Sequence, residues 1–388
     1  MRLAIFTDSF HPSFSGVATN VIEHTSGLLR RGHQVLIVAP HLEGELPERL
    51  RGATVTSTAV SLPYPGRRDL RIGLPTFLPA LRRLREFRPD IVHLYTERPV
   101  ALEGLFCARR LGVPCVGHFN TLLGEAPYVR SYARVAPRAA AFAIWKHQTW
   151  FYGRCDHVVS LTRAALEILR AYGCTTPASV ISSGVRPPCH VEDGRLRALR
   201  AAHGCAGGPN VIYAGRIAKE KRVCELLEVW ASLATRHPGG RLVLIGNGNE
   251  VPAVRKRLQD SALARRVAML GPRSHEEIYA GGLYRMGDVF ATCSRSETEC
   301  VAILEAMAHA LPVVAYGGTP IDESVNHGES GLLCGSQVEF AGALGQLLSD
   351  RDLRERMGAN ARIAVRRKSV ELSVEAIESL SRELARRR

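Results

Sequence analysis

Residues 288–316 read DVFATCSRSETECVAILEAMAHALPVVAY. The opening run, residues 288–293, is short, apolar and partly β-branched, as a buried strand is. A polar turn follows, then an apolar helical segment. Residues 312–316 (PVVAY) form a second apolar run. Strand, helix and strand in that order make a βαβ unit, which requires a parallel sheet with both faces covered. The same grammar extends backward through residues 210–214 (NVIYA), 241–245 (RLVLI) and 267–270 (VAML). It is also written in the first half of the chain. Strands are predicted at residues 2–7, 33–39, 90–95, 113–118, 157–161 and 179–182. Residues 20–31 carry Val21, Ile22, Leu28 and Leu29 at helical spacing and stop at Gly32.

Between the two sets lies a stretch rich in Gly, Pro and charge, the best boundary in the 388 residues. The organisation expected is therefore α/β. A first Rossmann-like domain spans residues 1–185, a linker 186–208 and a second Rossmann-like domain 209–370, with a C-terminal helix at about 370–388 returning to the first. Two such parallel sheets are expected to face a central cleft lined by their carboxyl ends, where ligands of these folds bind.

Lys and Arg outnumber Asp and Glu by 51 to 37, which favours anionic partners: nucleotide phosphates, acidic lipid or nucleic acid. The ten cysteines include no C-x-x-C pair, so zinc-ligand spacing is absent and a reduced, cytosolic protein is expected. The N-terminus lacks the pattern of a signal peptide, and no apolar run is long enough to span a bilayer. Any membrane contact is expected from the surface, at the inner face of the cell membrane.

Three places carry chemistry. Gly16, in the loop after the first strand, stands before a helix whose N–H groups could approach a phosphate. In GRIAKEK, Arg216 leaves the first strand of the second domain and Lys221 lies near the next helix. A forked guanidinium and a point-like ammonium suit a diphosphate. Glu297 and Glu305 bracket seven residues at a strand-to-helix junction. Carboxylates accept hydrogen bonds from sugar hydroxyls, and the N–H groups of Glu299, Cys300 and Val301 open a helix toward any phosphates between them.

The order of these motifs resembles retaining glycosyltransferase family 4, the two-Rossmann-domain glycosyltransferase B type. Glu297 to Glu305 is similar to that family's E-x7-E signature, and EAMA and PVVA follow it. Gly215-Arg216 with Glu220-Lys221 resembles its diphosphate segment, Ser15-Gly16-Val17 its N-terminal glycine loop, His118 its cleft histidine, and Ser183-Gly184-Val185 its linker-proximal N-G-V. The chain departs from the pattern at Glu299 and Cys300, where the family usually has an aromatic residue and glycine, and at Arg222, a common glycine. A Gly-to-Cys change is expected to keep the backbone contacts to the donor only with φ negative. Glu299 is expected to put a negative charge near the diphosphate.

The resemblance implies a nucleotide-diphospho-sugar donor of the UDP-glucose or GDP-mannose type. Arg216 and Lys221 would neutralise the leaving diphosphate, Glu305 would hold the ribose, and Glu297 and His118 the transferred hexose. No metal and no further cofactor are expected. The acceptor is expected on the N-terminal side, where Arg82, Arg83 and Arg85, preceded by Arg67, Arg68 and Arg71, mark a basic amphipathic segment. Residues 128–151 mix Arg130, Arg134, Arg138 and Lys146 with Tyr132, Phe142, Trp145, Trp150 and Phe151. Basic faces with aromatic anchors fit an anionic membrane surface. ARVAP and RIAKEK resemble bacterial glucosyl-diacylglycerol synthases and favour a lipid acceptor. The rival readings are a soluble sugar acceptor, a sugar-nucleotide epimerase, and a nucleic-acid-binding protein. Charge alone motivates the last, and no nucleic acid partner is expected.

Overall fold

A computed structural model describes residues 1–11, 15–40, 45–58, 60–64, 67–132, 136–259 and 262–387. Arg134, named above, lies outside the described residues, as do the side chains of Arg67, Arg68 and Tyr132. The chain divides into two compact units, Met1–Gly184 with Val370–Arg388, and Val185–Ser369.

The first unit holds a seven-stranded parallel sheet and a small antiparallel hairpin. Its strands are β1 (Arg2–Phe6), β2 (Gln34–Ala39), β3 (Thr54–Ser57), the hairpin β4 (Val60–Tyr64) and β5 (Arg67–Leu74), β6 (Ile91–Leu94), β7 (Cys115–Phe119), β8 (His157–Ser160) and β9 (Ala178–Val180). The sheet order is β3-β2-β1-β6-β7-β8-β9. Valine, isoleucine and leucine fill the central strands because helices cover both faces. On one face the helix Gly16–Arg30 presses Val21 and Leu28 against Val374 and Ile377 of the C-terminal helix Val370–Arg386. Each such buried side chain contributes about 2 kcal/mol. The two helices meet so closely that a Cβ at Gly27 would collide with Val374. Glu378 ties the contact down: Arg31 and Arg382 donate to it, and His33 Nε2 lies 3.1 Å away.

The second unit holds β10 (Val211–Ala214), β11 (Leu242–Ile245), β12 (Val267–Gly271), β13 (Val289–Thr292), β14 (Val313–Tyr316) and β15 (Gly331–Cys334). They form one parallel sheet in the order β12-β11-β10-β13-β14-β15. The strand order reverses between β10 and β13. In sheets of this kind that point opens a crevice at the strands' carboxyl ends.

Some expectations needed correction. Residues 186–208, read as a linker, contain the helix Asp193–Ala202 and belong to the second unit. Its Arg200 reaches Asp288 at 3.0 Å. Two strands of the parallel sheets, β3 and β15, escaped the sequence reading, as did the hairpin of β4 and β5. β3 and β15 are half-covered edge strands: TVTS lacks a continuous apolar run, and GLLC is apolar but has no β-branched residue.

Candidate active site

The second unit's switch point gathers the donor-side residues. Arg216 follows β10, and Glu297 follows β13, its neighbour in the sheet. Gly215 takes φ +156°, and Tyr213 donates its hydroxyl to the Arg216 carbonyl at 2.7 Å, which fixes the chain as it leaves the strand. Arg216 Nη2 stands 2.8 Å from Glu220 Oε1, whose side chain is 1 % exposed. Lys221 Nζ donates to Glu297 Oε1 at 2.5 Å. Burial works against the Lys221 ammonium, but the carboxylate beside it outweighs burial and leaves its pKa above the usual lysine value. Two fixed cations and a carboxylate thus stand together at the mouth of the sheet.

Glu305 lies in the helix Val301–Ala308 and is buried, which excludes a solvated edge. It accepts from His275 Nε2 at 2.5 Å and from the Tyr284 hydroxyl at 2.7 Å. Burial pushes the carboxyl pKa up, but the His275 charge and these bonds outweigh it, and the net shift is downward. His275 and Tyr284 were missed in the sequence, because each sits in an ordinary surface-like pattern and only folding brings it to Glu305.

The helix Val301–Ala308 opens without a side-chain cap. Its N-cap is Cys300 at φ +66°, in the left-handed region. The negative φ on which retained backbone contacts were made to depend is not found. Cys300 keeps the backbone shape a glycine would give, with strain on the order of 1–2 kcal/mol. Arg222 behaves alike, at φ +54°. Both departures from the family glycine therefore change the side chain and leave a glycine-like backbone. Glu299 also differs from expectation. Its carboxylate is fully buried and accepts from Lys368 Nζ at 3.1 Å, and Lys368 in turn donates to Ser324 Oγ at 3.0 Å. Its charge is neutralised there and is not left free beside the leaving group.

In the first unit, Ser15 caps the helix that begins at Gly16, accepting from the Ala18 amide, and Gly16 itself is exposed. His118, inside β7, is 1 % exposed. Its Nε2 lies 2.9 Å from His93 Nδ1, and its ring stacks on Tyr95 with centroids 4.0 Å apart. His118 Nδ1 is buried and has no partner among the described residues. Burial, aided by the neighbouring histidines, holds the His118 pKa well below the usual value, so the ring is neutral.

Arg82, Arg83 and Arg85 are exposed on the helix Leu78–Phe87, which buries Ala80, Leu81 and Leu84. Leu78 at the same helix's start is also exposed. On the helix Pro137–Tyr152, Phe142 and Trp150 are exposed, with Lys146 and Arg154 over their rings. Trp145 is not an anchor: it is buried and stacked on Tyr172 at 3.9 Å. Phe151 is likewise core. Among the described residues no cluster of His, Cys, Asp or Glu could hold a metal ion, and no helix is long and apolar enough to cross a membrane.

The two units match two family models. Residues 14–187 match Glycosyltransferase Family 4, and residues 198–364 match Glycosyl transferases group 1. The chain belongs to this glycosyltransferase family and is a glycosyltransferase. It is 34 % identical to a GDP-mannose-dependent alpha-mannosyltransferase of Mycobacterium tuberculosis, over 86 % of this chain and 83 % of that one. It is 25 % identical to an alpha-monoglucosyldiacylglycerol synthase of Acholeplasma laidlawii, over 98 % and 96 %. The fold matches that of Anabaena HepE, solved in complex with UDP-glucose, with a TM-score of 0.80, 20 % identity and coverage of 98 % and 99 %.

Proposed function

We propose that the chain transfers a hexose from a nucleotide-diphospho-sugar to a lipid or glycolipid acceptor at a membrane surface, with retention at the anomeric carbon. The observation that carries this reading is the placement of Arg216, paired with Glu220, and of Lys221, paired with Glu297, at the switch point of the second sheet. Fixed cations of this kind stabilise the negative charge that grows on a departing diphosphate. Metal-free turnover is part of the proposal, since Arg216 and Lys221 supply that charge themselves.

In the reaction proposed, the acceptor hydroxyl oxygen forms a bond to the anomeric carbon on the face that the diphosphate leaves. The bond to the phosphate oxygen breaks, its electron pair stays on that oxygen, and the acceptor proton passes to it. Glu305, oriented by His275 and Tyr284, holds the ribose hydroxyls. Glu297 and His118 contact the transferred sugar.

GDP-mannose is the favoured donor. Relatives at 34 %, 31 % and 30 % identity, from Mycobacterium tuberculosis, Mycolicibacterium smegmatis and Corynebacterium glutamicum, are named GDP-mannose-dependent alpha-mannosyltransferases. The lipid acceptor is supported by the glucosyldiacylglycerol synthases at 25 % identity, by exposed Leu78 on the helix of Arg82, Arg83 and Arg85, and by exposed Phe142 and Trp150 with Lys146 and Arg154 over their rings. Such a surface suits peripheral attachment to the inner leaflet, each basic residue there contributing about 1 kcal/mol.

A screen of UDP- and GDP-sugars, with and without anionic vesicles carrying diacylglycerol or a glycolipid, tests it. Radiolabel should move from GDP-mannose into the lipid fraction. Transfer only to soluble sugars would overturn the lipid acceptor, and no consumption of any nucleotide sugar would overturn the whole reading.

A further inference from the structure

The first unit contains a buried polar chain behind His118, and the reaction outlined above uses none of its other members. His118 Nε2 lies 2.9 Å from His93 Nδ1, and His93 Nε2 lies 3.0 Å from Ser381 Oγ on the C-terminal helix. Ser381 also lies 2.6 Å from the Ile377 carbonyl. A carbonyl cannot donate, so the single hydroxyl hydrogen of Ser381 must point to it. Ser381 Oγ therefore accepts, and His93 Nε2 must carry a hydrogen. Burial pulls the His93 pKa down to about 3, so its ring is neutral and Nδ1 bears a lone pair. His118 Nε2 must then be the donor to His93. In a neutral ring this leaves His118 Nδ1 bare.

A second histidine repeats the logic independently. His24 Nε2 lies 3.2 Å from the Ser183 carbonyl, which demands a hydrogen on that nitrogen. It also lies 2.8 Å from Ser373 Oγ, whose own hydrogen goes to the Ser182 carbonyl at 2.6 Å. His24 Nδ1 then accepts from the Tyr95 hydroxyl at 2.7 Å. Tyr95 is the ring that stacks on His118 and holds its plane. Ser373 and Ser381 are both buried and sit about two turns apart on one helix, so one element serves both histidines.

We propose that the C-terminal helix locks His118 in the Nε2–H tautomer, through Ser381 and His93, so that His118 Nδ1 is a pure hydrogen-bond acceptor. Its chemical partner is a hydroxyl hydrogen of the transferred sugar. This last clause rests on the sugar-contact role given to His118 above, whereas the tautomer stands on the geometry of the first unit alone. His93 and Ser381 are positioning residues: neither touches the sugar. The specificity that follows is directional. A sugar that offers an O–H to Nδ1 is accepted, and an analogue with fluorine at that position, which can only accept, meets a lone pair and is rejected.

Long-range 15N–1H correlation spectra of the ligand-free, histidine-labelled protein test this, with resonances assigned from single His→Gln variants. The expected result is a protonated Nε2 and a bare Nδ1 on His24, His93 and His118. In Ser381→Ala, His93 loses its acceptor, and His93 and His118 should move in part to the Nδ1–H form while His24 stays unchanged. Ser381→Thr, which keeps the hydroxyl, should restore the wild-type pattern. A protonated Nδ1 on wild-type His118 would overturn the lock, whether or not the Ala variant folds. So would a Ser381→Ala spectrum identical to wild type. In transfer assays, Ser381→Ala should lower kcat/KM about fivefold to tenfold, as loss of one neutral hydrogen bond does, with nucleoside diphosphate affinity unchanged. If the tautomers change as expected and kcat/KM does not, the sugar contact of His118 is refuted and the lock stands.

Discussion

Arg216 carries two duties, and replacing it by alanine should expose both. The first is to its own unit. Glu220 has a side chain only 1 % exposed, and the Arg216 guanidinium stands 2.8 Å from it. Removing one partner of a buried pair leaves a charge in a poor solvent. Because Arg216 itself reaches solvent, the low end of the usual penalty applies, about 3 kcal/mol. With a urea dependence of about 2 kcal/mol per molar, the unfolding midpoint of the second unit should fall by about 1.5 M. Trp230 is the reporter: it is buried in that unit, and fluorotryptophan labelling resolves it by 19F NMR from the other two of the chain's three tryptophans. The second duty is to the leaving diphosphate, and its loss should slow transfer by about a hundredfold. Arg216→Ala with Glu220→Gln separates the two. Neutralising the carboxylate should recover most of the stability and none of the rate. An Arg216→Ala variant that unfolds at the wild-type midpoint would refute the structural duty. A double variant with wild-type turnover would refute the catalytic one.

Glu297→Ala should abolish most transfer without weakening nucleoside diphosphate binding, because it frees Lys221. Glu305→Ala should weaken that binding instead. Calorimetry giving equal losses for the two would end the proposed division between sugar and ribose. Turnover should persist in excess chelator, and loss of rate with recovery on adding a divalent ion would show that the fixed cations do not suffice. Glu378 makes stability depend on pH. Arg382, with Arg31 and His33, outweighs partial burial and holds its folded pKa at about 2, against 4.5 ordinarily. The stabilisation is complete above about pH 4.5 and is lost as pH falls toward 2. Glu378→Gln should therefore cost about 1 kcal/mol at pH 7, allowing for screening, and almost nothing near pH 2. Urea midpoints differing equally at pH 7 and at pH 2 would contradict this.

Central strands could be read from the sequence because burial on both faces leaves one permitted pattern, as in VIYA or LVLI. The edge strands β3 and β15 could not: the half-covered TVTS mixes polar and apolar residues as a loop does, and GLLC lacks the β-branched residues that mark a strand. The positions of Arg216, Lys221 and Glu297 after parallel strands, and of Glu305 in the helix that follows, were legible from the strand-to-helix grammar. What those side chains face was not. Glu299 finds Lys368 across 69 residues, and His93 finds Ser381 across 288. No local period encodes such distances. Trp145 and Trp150 stand on one helix in similar company, and only packing against Tyr172 decides which is core. The backbone at Cys300 was not legible for another reason. Residue type gives a cost for left-handed geometry, but the surrounding strand-to-helix turn decides whether that cost is met.

The division of the chain also sets an order of assembly on the ribosome. The second unit is one continuous segment, Val185–Ser369, and has all its parts once that segment has emerged. The first unit, although translated earlier, lacks its closing helix, Val370–Arg386, until after the second unit has emerged. Until then, Val21 and Leu28 have no Val374 and Ile377 to cover them, and His24 and His93 have no serine hydroxyls to meet. The amino-terminal half is thus finished after the second unit, and stays open to chaperones while that unit is made. A stop codon within Val370–Arg386 would damage the first unit more than the second.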